Sequence, residues 1–313
     1  MLGIGVLVAL FAFWGASQIA SDSTFVVSAR TEVVTLDVGC DRRVVWDLPA
    51  GRVGALGSAP TSARNVVGVE MRGGARVRLW VGPGEIWRAT FERSDAMGCD
   101  GMAGATAAEM PTDMIVVAVD GLRLPPSADG YVYEAAARIS ADGPRPLLPL
   151  HGRIVVGDEI VFGAGTGGSV GAPLLSQARI EARTPDRLTL QRRLIHEEQV
   201  DAGGIVDSHG CLDTAGVDLT RCLRTVRPAA EGFVYPGEIG DKPGFDVQML
   251  VIGRHVGVRQ HGGSERRVVI TVWSRWISSA WLQLAAATLV FVATMAQIWS
   301  VVQRRGRGPR GGG

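Results

Sequence analysis

Between residues 23 and 275 the chain is a succession of short Val-, Ile- and Thr-rich runs parted by Gly and Pro, and this pattern confines it to β structure. A strand turns successive side chains to opposite faces, so an alternating run buries one set and wets the other. Arg76–Val81 (RVRLWV) begins in that way. Strands are predicted at Thr24–Val38 (one long bent strand or two), Arg43–Leu48, Val66–Met71, Arg76–Val81, Glu85–Phe91, Met114–Val119 and Tyr131–Ile139. More follow at Arg153–Phe162, Ala178–Arg183, Leu188–Arg192, Gly232–Tyr235, Val247–Gly253 and Arg267–Trp273. Turn-forming residues separate them at Gly73-Gly74, Pro83-Gly84, Ala128-Asp129-Gly130, Gly167-Gly168 and Pro236-Gly237. Arg76–Val81 and Glu85–Phe91, joined through Gly82-Pro83-Gly84, read as a hairpin. Residues 102–109 and Thr214–Leu223 are each compatible with a short helix, but no sustained helical period runs through this middle. The predicted fold class is mainly β, an antiparallel sandwich or barrel.

Two charge-free segments flank it, Leu2–Ala20 and Trp276–Gln303. A bilayer core about 30 Å thick takes roughly 20 apolar residues in a helix. The expectation is therefore one transmembrane helix over 1–22 and another over 276–303. Trp276 and Trp281 at one end of the second segment and Trp299 at the other match the two headgroup layers. Arg304 and Arg305 follow at once, which assigns the basic tail 304–313 to the cytoplasm. Gly15, Ala16 and Ser17 would permit cleavage of the first segment. Its apolar run nevertheless fills a whole span and no basic residue precedes it, so it reads as a retained signal-anchor. Both termini are then cytoplasmic, and the bulk of the chain lies on the periplasmic or extracellular side of a bacterial inner membrane. Arginine supplies nearly all the positive charge, Lys242 being the only lysine, which suggests a GC-rich bacterial genome.

The net charge is +1, and the four tail arginines account for +4, so the remainder carries −3. No basic excess is left for a nucleic-acid partner. Five of the eight tryptophans (Trp14, Trp273, Trp276, Trp281 and Trp299) lie in or beside the apolar segments. The middle is thus poor in aromatic rings, which argues against a stacking platform for sugars or bases. A compositional shift at Pro144–Pro149 (PRPLLP) divides the middle into β regions 23–143 and 150–275. A short echo between Arg76–Trp87 and Arg153–Phe162 is compatible with duplication, and no heptad run supports a coiled coil.

The four cysteines, in an exported segment, point to two disulfides. The sequence-local pairing is Cys40–Cys99 with Cys211–Cys222, each worth roughly 3–4 kcal/mol in a chain-entropy account. No CxxC or HxxxH spacing marks a zinc site, and no metal or cofactor is predicted.

Ser208-His209-Gly210-Cys211 is the sharpest local signal for chemistry. It resembles the active-site signature of the L,D-transpeptidases, which cross-link peptidoglycan outside the membrane. The resemblance implies a Cys211 nucleophile beside His209, with His196 as its base and His151 as a second choice. The matching stretch covers four residues. Asp213 stands where that family has Arg, and Glu197 stands where Gly follows the base. Cys222, eleven residues on, offers Cys211 a disulfide that would consume the thiol. Structural cysteines are therefore the primary reading and a transpeptidase-like cysteine enzyme the alternative.

Gly163–Gly171 satisfies both GxGxxG (Gly163, Gly165, Gly168) and GxSxG (Gly167, Ser169, Gly171). Each motif needs a strand–turn–helix setting, and no helical period follows before Pro173, so a loop is expected. Asp158-Glu159 and Glu197-Glu198 are neighbours whose side chains point to opposite faces of a strand, as solvated surface does. His255 and His261 flank a Gly-containing stretch without further ligands. The expected function is non-enzymatic: a membrane-anchored scaffold or accessory subunit that binds other membrane or envelope proteins.

Overall fold

Among the described residues the alternating runs form strands and every pairing between them is antiparallel; the run expected at Leu188–Arg192 lies, but for Arg192, outside those residues. A computed structural model describes residues 23–40, 42–56, 61–63, 67–82, 84–94, 114–119, 122–124, 127, 129–136, 146–158, 175–185, 192–208, 230–260, 263–272, 274 and 280–306. In chain order the first strands are β1 Ser23–Thr31, β2 Val33–Val38, β3 Arg43–Leu48, β4 Gly51–Ala55, β5 Thr61–Ala63, β6 Val67–Arg72, β7 Ala75–Gly82 and β8 Ile86–Arg93. Next come β9 Ile115–Val119, β10 Leu122–Arg123, β11 Tyr131–Ala136, β12 Leu148–Val156, β13 Leu175–Pro185, β14 Arg192–Val200 and β15 Ile205–Asp207. The last are β16 Ala230–Ile239, β17 Lys242–Gly253, β18 His255–Arg259 and β19 Glu265–Val269, followed by helix α1, Ala280–Gly306. The protein is mainly β.

One large sheet runs β14-β13-β1-β17-β16-β12-β2-β7-β8-β11-β4-β5, with β15 bridging β12 to β18 and β18 pairing with β19. Among the described residues this path does not close on itself. A smaller sheet has the order β10-β9-β6-β3. Trp46 of β3 ties the two together. Its ring meets Phe91 of β8 edge-on at 6.0 Å, and its indole Nε1 donates to the Pro149 carbonyl at 2.8 Å. Within the large sheet, Trp87 of β8 lies 5.3 Å from Phe245 of β17, so distant strands face each other across one core.

The expected hairpin is present: β7 pairs with β8 from Ala75↔Arg93 to Gly82↔Ile86, burying Val77, Leu79, Trp87, Ala89 and Phe91. The 24–38 run is two strands, β1 and β2. Strand pairing crosses Pro144–Pro149. Leu148 and Pro149 open β12, which pairs with β2, while β1 pairs with both β13 and β17. Pro236-Gly237 is not a turn. Pro236 pairs with Phe245 inside β16, beyond the last β12 partner at Val234, so its missing N–H costs that edge no bond. The turn falls at Gly240-Asp241, and Gly240 adopts φ +62°, the left-handed region that a two-residue turn of this kind exploits.

The two flanking transmembrane helices are not supported. Residues 1–22 lie outside the described set, and among the described residues no helix is long and apolar enough to cross a membrane. The two short helices considered at 102–109 and Thr214–Leu223, and the glycine-rich segment 163–171, also fall outside the described residues.

Candidate functional site

A buried ionic cluster sits where β7, β2, β12 and β15 meet. Register places Arg76, Asp37 and Arg153 in one row, since Asp37 is opposite Arg76 on one side and Arg153 on the other. Arg76 donates from Nε to Asp37 Oδ1 at 2.7 Å, and the Ser94 hydroxyl donates to the same oxygen at 2.8 Å. Arg153 reaches both acids: Nη1 donates to Asp37 Oδ2 at 3.4 Å, and Nη2 to Asp207 Oδ2 at 2.8 Å. Asp207, which opens to no solvent at all, also accepts from Arg153 Nε at 3.2 Å. Burial alone would ease the Arg153 proton off, but Asp207 and then Asp37 outweigh it and raise its pKa. Two guanidinium groups and two carboxylates cancel in charge, so the cluster ties four strands together while keeping each ion paired.

Close packing makes this row possible. Gly152, next to Arg153, has φ +143°, and a Cβ there would stand 2.1 Å from the Asp37 carbonyl oxygen. On the far side lies Glu265 of β19, both carboxylate oxygens of which are buried without a hydrogen-bond partner among the described residues. Burial raises its pKa, with the negative charge of Asp207 adding to the effect. Together these exceed the opposing pull of Arg267, Arg259 and Arg153.

The cluster reaches the Ser208 motif directly. Ser208 follows Asp207, its backbone N–H donates to the Ile154 carbonyl at 3.0 Å, and its hydroxyl accepts from the Ile154 N–H at 2.9 Å. That serine completes the edge of β12 and is buried. His209, Gly210, Cys211, Asp213 and Cys222 lie outside the described residues. His196 projects from β14, half exposed, with Nε2 3.5 Å from Glu198. His151 stands on β12 near Glu231, 3.9 Å away. Cys40 is disulfide-bonded, and its expected partner Cys99 lies outside the described residues. The paired carboxylates are engaged on the surface: Asp158 with Arg78, Glu197 with Arg179 at 3.0 Å, and Glu198 with Arg266. His255 belongs to β18, while Glu159 and His261 are outside the described set. Among the described residues no three His, Cys, Asp or Glu side chains gather as a metal site requires.

Sequence reasoning missed the cluster. Its signal was a lone charge in each of three otherwise apolar strand runs: Asp37 in VVTLDV, Arg153 in RIVV and Asp207 in IVD. A single charge within an apolar strand needs a partner when both faces are covered.

Of the expected membrane anchors, Trp299 is exposed on α1, Arg304 and Arg305 lie on the helix, and the side chains of Trp276 and Trp281 are outside the described set. The bare surface of α1 is the other notable feature. Leu289, Val290, Phe291 and Val292 are 71%, 67%, 61% and 58% exposed. Four consecutive residues in a helix point to every side, so among the described residues nothing in the β structure covers this stretch of the helix. No known family model matches the chain, and no curated protein matches it in sequence.

Proposed function

We propose that the chain is a membrane-attached, extracytoplasmic β-rich scaffold or accessory subunit of an envelope or membrane protein complex. The observation that carries this reading is the uncovered apolar surface of α1. Burying a large apolar side chain is worth about 1.5–3 kcal/mol. Leu289, Val290, Phe291, Val292, Met295 and Ile298 together therefore favour an apolar surrounding by on the order of 10 kcal/mol. Lipid supplies that surrounding, with the segments at 1–22 and 276–303 as anchors and the arginine tail on the cytoplasmic side of a bacterial inner membrane. The disulfide at Cys40 fits an oxidising compartment, and the pairings proposed are Cys40–Cys99 and Cys211–Cys222. The charge cluster gives the β region a fixed frame from which to hold a neighbouring envelope protein.

Alkaline carbonate extraction of membranes from cells making the full chain tests the attachment. The chain should stay in the pellet and leave only with detergent; release by carbonate overturns the reading. Affinity purification in mild detergent tests the accessory role. A stoichiometric partner is expected, and recovery of the chain alone counts against it.

A further inference from the structure

We infer that the outward face of β14-β13-β1-β17-β16 is a binding groove for a neutral glycan chain. The inward residues of these strands, such as Phe25, Ile180 and Val247, belong to the core. The alternate residues face a concave space of about 530 Å³, within the range of roughly 300–1,000 Å³ typical of ligand sites. Register aligns them in two rows. One runs Gln199, Arg179, Ser28, Gln248, with Phe233 next in register just beyond the lining, and the next runs Gln177, Arg30, Asp246, Tyr235.

The charges in this lining are already matched. Arg30 Nε lies 3.2 Å from Asp246, and Arg179 lies 2.9 Å from Glu181 and 3.0 Å from Glu197. Only Asp201, at the exposed turn after β14, stands outside these pairs among the described residues. An anionic ligand would find no surplus of positive charge there. What the groove offers instead is three amides (Gln177, Gln199 and Gln248) and the hydroxyls of Ser28 and Tyr235. Each amide both donates and accepts, which suits adjacent sugar hydroxyls.

Two aromatic rings complete the surface. Phe233 and Tyr235 sit two residues apart on β16 and so share this face. Phe233 is 46% exposed, and Tyr235 lies beside Gln248, whose amide is 3.5 Å from the phenol oxygen. A chain with few aromatics in its middle thus places two of them together at the rim of a polar trough. Rings with an apolar face and a wet edge stack on the C–H faces of sugars. A peptide adding as a strand is disfavoured, because β13, β1, β17 and β16 are paired on both sides and the lining can read a ligand only through side chains.

The test uses the full chain in a zwitterionic, sugar-free detergent, so it does not depend on membrane attachment. Calorimetric titration would use uncharged hexasaccharides of glucose, mannose and N-acetylglucosamine, with an anionic hyaluronan hexamer for comparison. At least one neutral hexamer should bind saturably, and Gln248→Ala and Tyr235→Ala should each weaken it about tenfold, the effect of one lost polar or stacking contact. Both side chains face outward, so both variants should melt with the parent; if either unfolds, Gln199→Ala on β14 gives the same reading. Arg123→Ala, on β10 of the smaller sheet, should leave binding unchanged. The inference is overturned if no neutral hexamer binds, if binding survives these substitutions, or if the anionic hexamer binds more tightly.

Discussion

Replacing Arg153 with Met removes the cation on which Asp37 and Asp207 converge. Asp37 keeps Arg76 at 2.7 Å and Ser94 at 2.8 Å, so its loss is partial. Asp207 is fully buried and loses contacts from both Nε and Nη2, at 3.2 and 2.8 Å. Removing one partner of a buried ion pair costs about 3–5 kcal/mol, because the remaining charge keeps its desolvation penalty. In a domain of this size each kcal/mol moves Tm by about 2–4 °C, so Arg153→Met should lower Tm by roughly 6–20 °C. Tryptophan fluorescence is the assay, since Trp46 and Trp87 are buried in the shared core. Adding Asp207→Asn to that variant removes the orphaned charge. The double variant should then lose at least about 1 kcal/mol less than the sum of the two single losses. A Tm drop under about 3 °C for Arg153→Met, or strict additivity in the cycle, would refute the assignment of this cluster as a coupled tie.

Other outcomes follow from the same geometry. The Glu265 carboxyl titrates above its ordinary 4.5 in the fold, so the stability linked to its neutral form is full below 4.5 and is lost as pH rises through the raised value. Glu265→Gln should accordingly melt higher than the parent at pH 7, with the gap closing below about pH 4.5; a pH-independent gap rules this out. Gly152→Ala forces a Cβ to 2.1 Å from the Asp37 carbonyl and should cost about 3 kcal/mol or more in denaturant titration. Trp46→Phe keeps most of the ring contact with Phe91 but leaves the half-buried Pro149 carbonyl without its indole donor, a loss of about 1 kcal/mol by the same measurement. Cys40→Ser breaks a disulfide and should cost about 2–5 kcal/mol under oxidising conditions, and adding reductant should then lower the stability of this variant by less than it lowers that of the parent.

Local pattern in the sequence carries the strands wherever one face meets the core and the other meets water. Arg43–Leu48 is read to the residue, and Ala75–Gly82 with Ile86–Arg93 nearly so, because Val44, Trp46 and Leu48 or Trp87, Ala89 and Phe91 recur at every second position. The reading fails where the alternation is obscured. Beyond Arg192, β14 (RRLIHEEQV) is a charged edge strand, and the extension of β16 through Pro236 looks like a turn because its open side is invisible in one dimension. The ionic cluster was half legible as lone charges in apolar runs, but its partners are 54 and 116 residues apart. Nothing in the spacing says which charge meets which.

By itself, then, the sequence determined that the middle is antiparallel β and where most strands run. Those properties follow from side-chain periodicity and composition, which act locally. Tertiary structure alone decided the sheet order, in which β1 lies between β13 and β17, and with it the meeting of Asp37, Arg153 and Asp207 and the shared face of Gln248, Arg30 and Tyr235. Strands distant in sequence pair through the same backbone hydrogen bonds whatever their side chains. The choice among pairings comes from the sum of core packing and buried charge, a sum that exists only once the chain is folded.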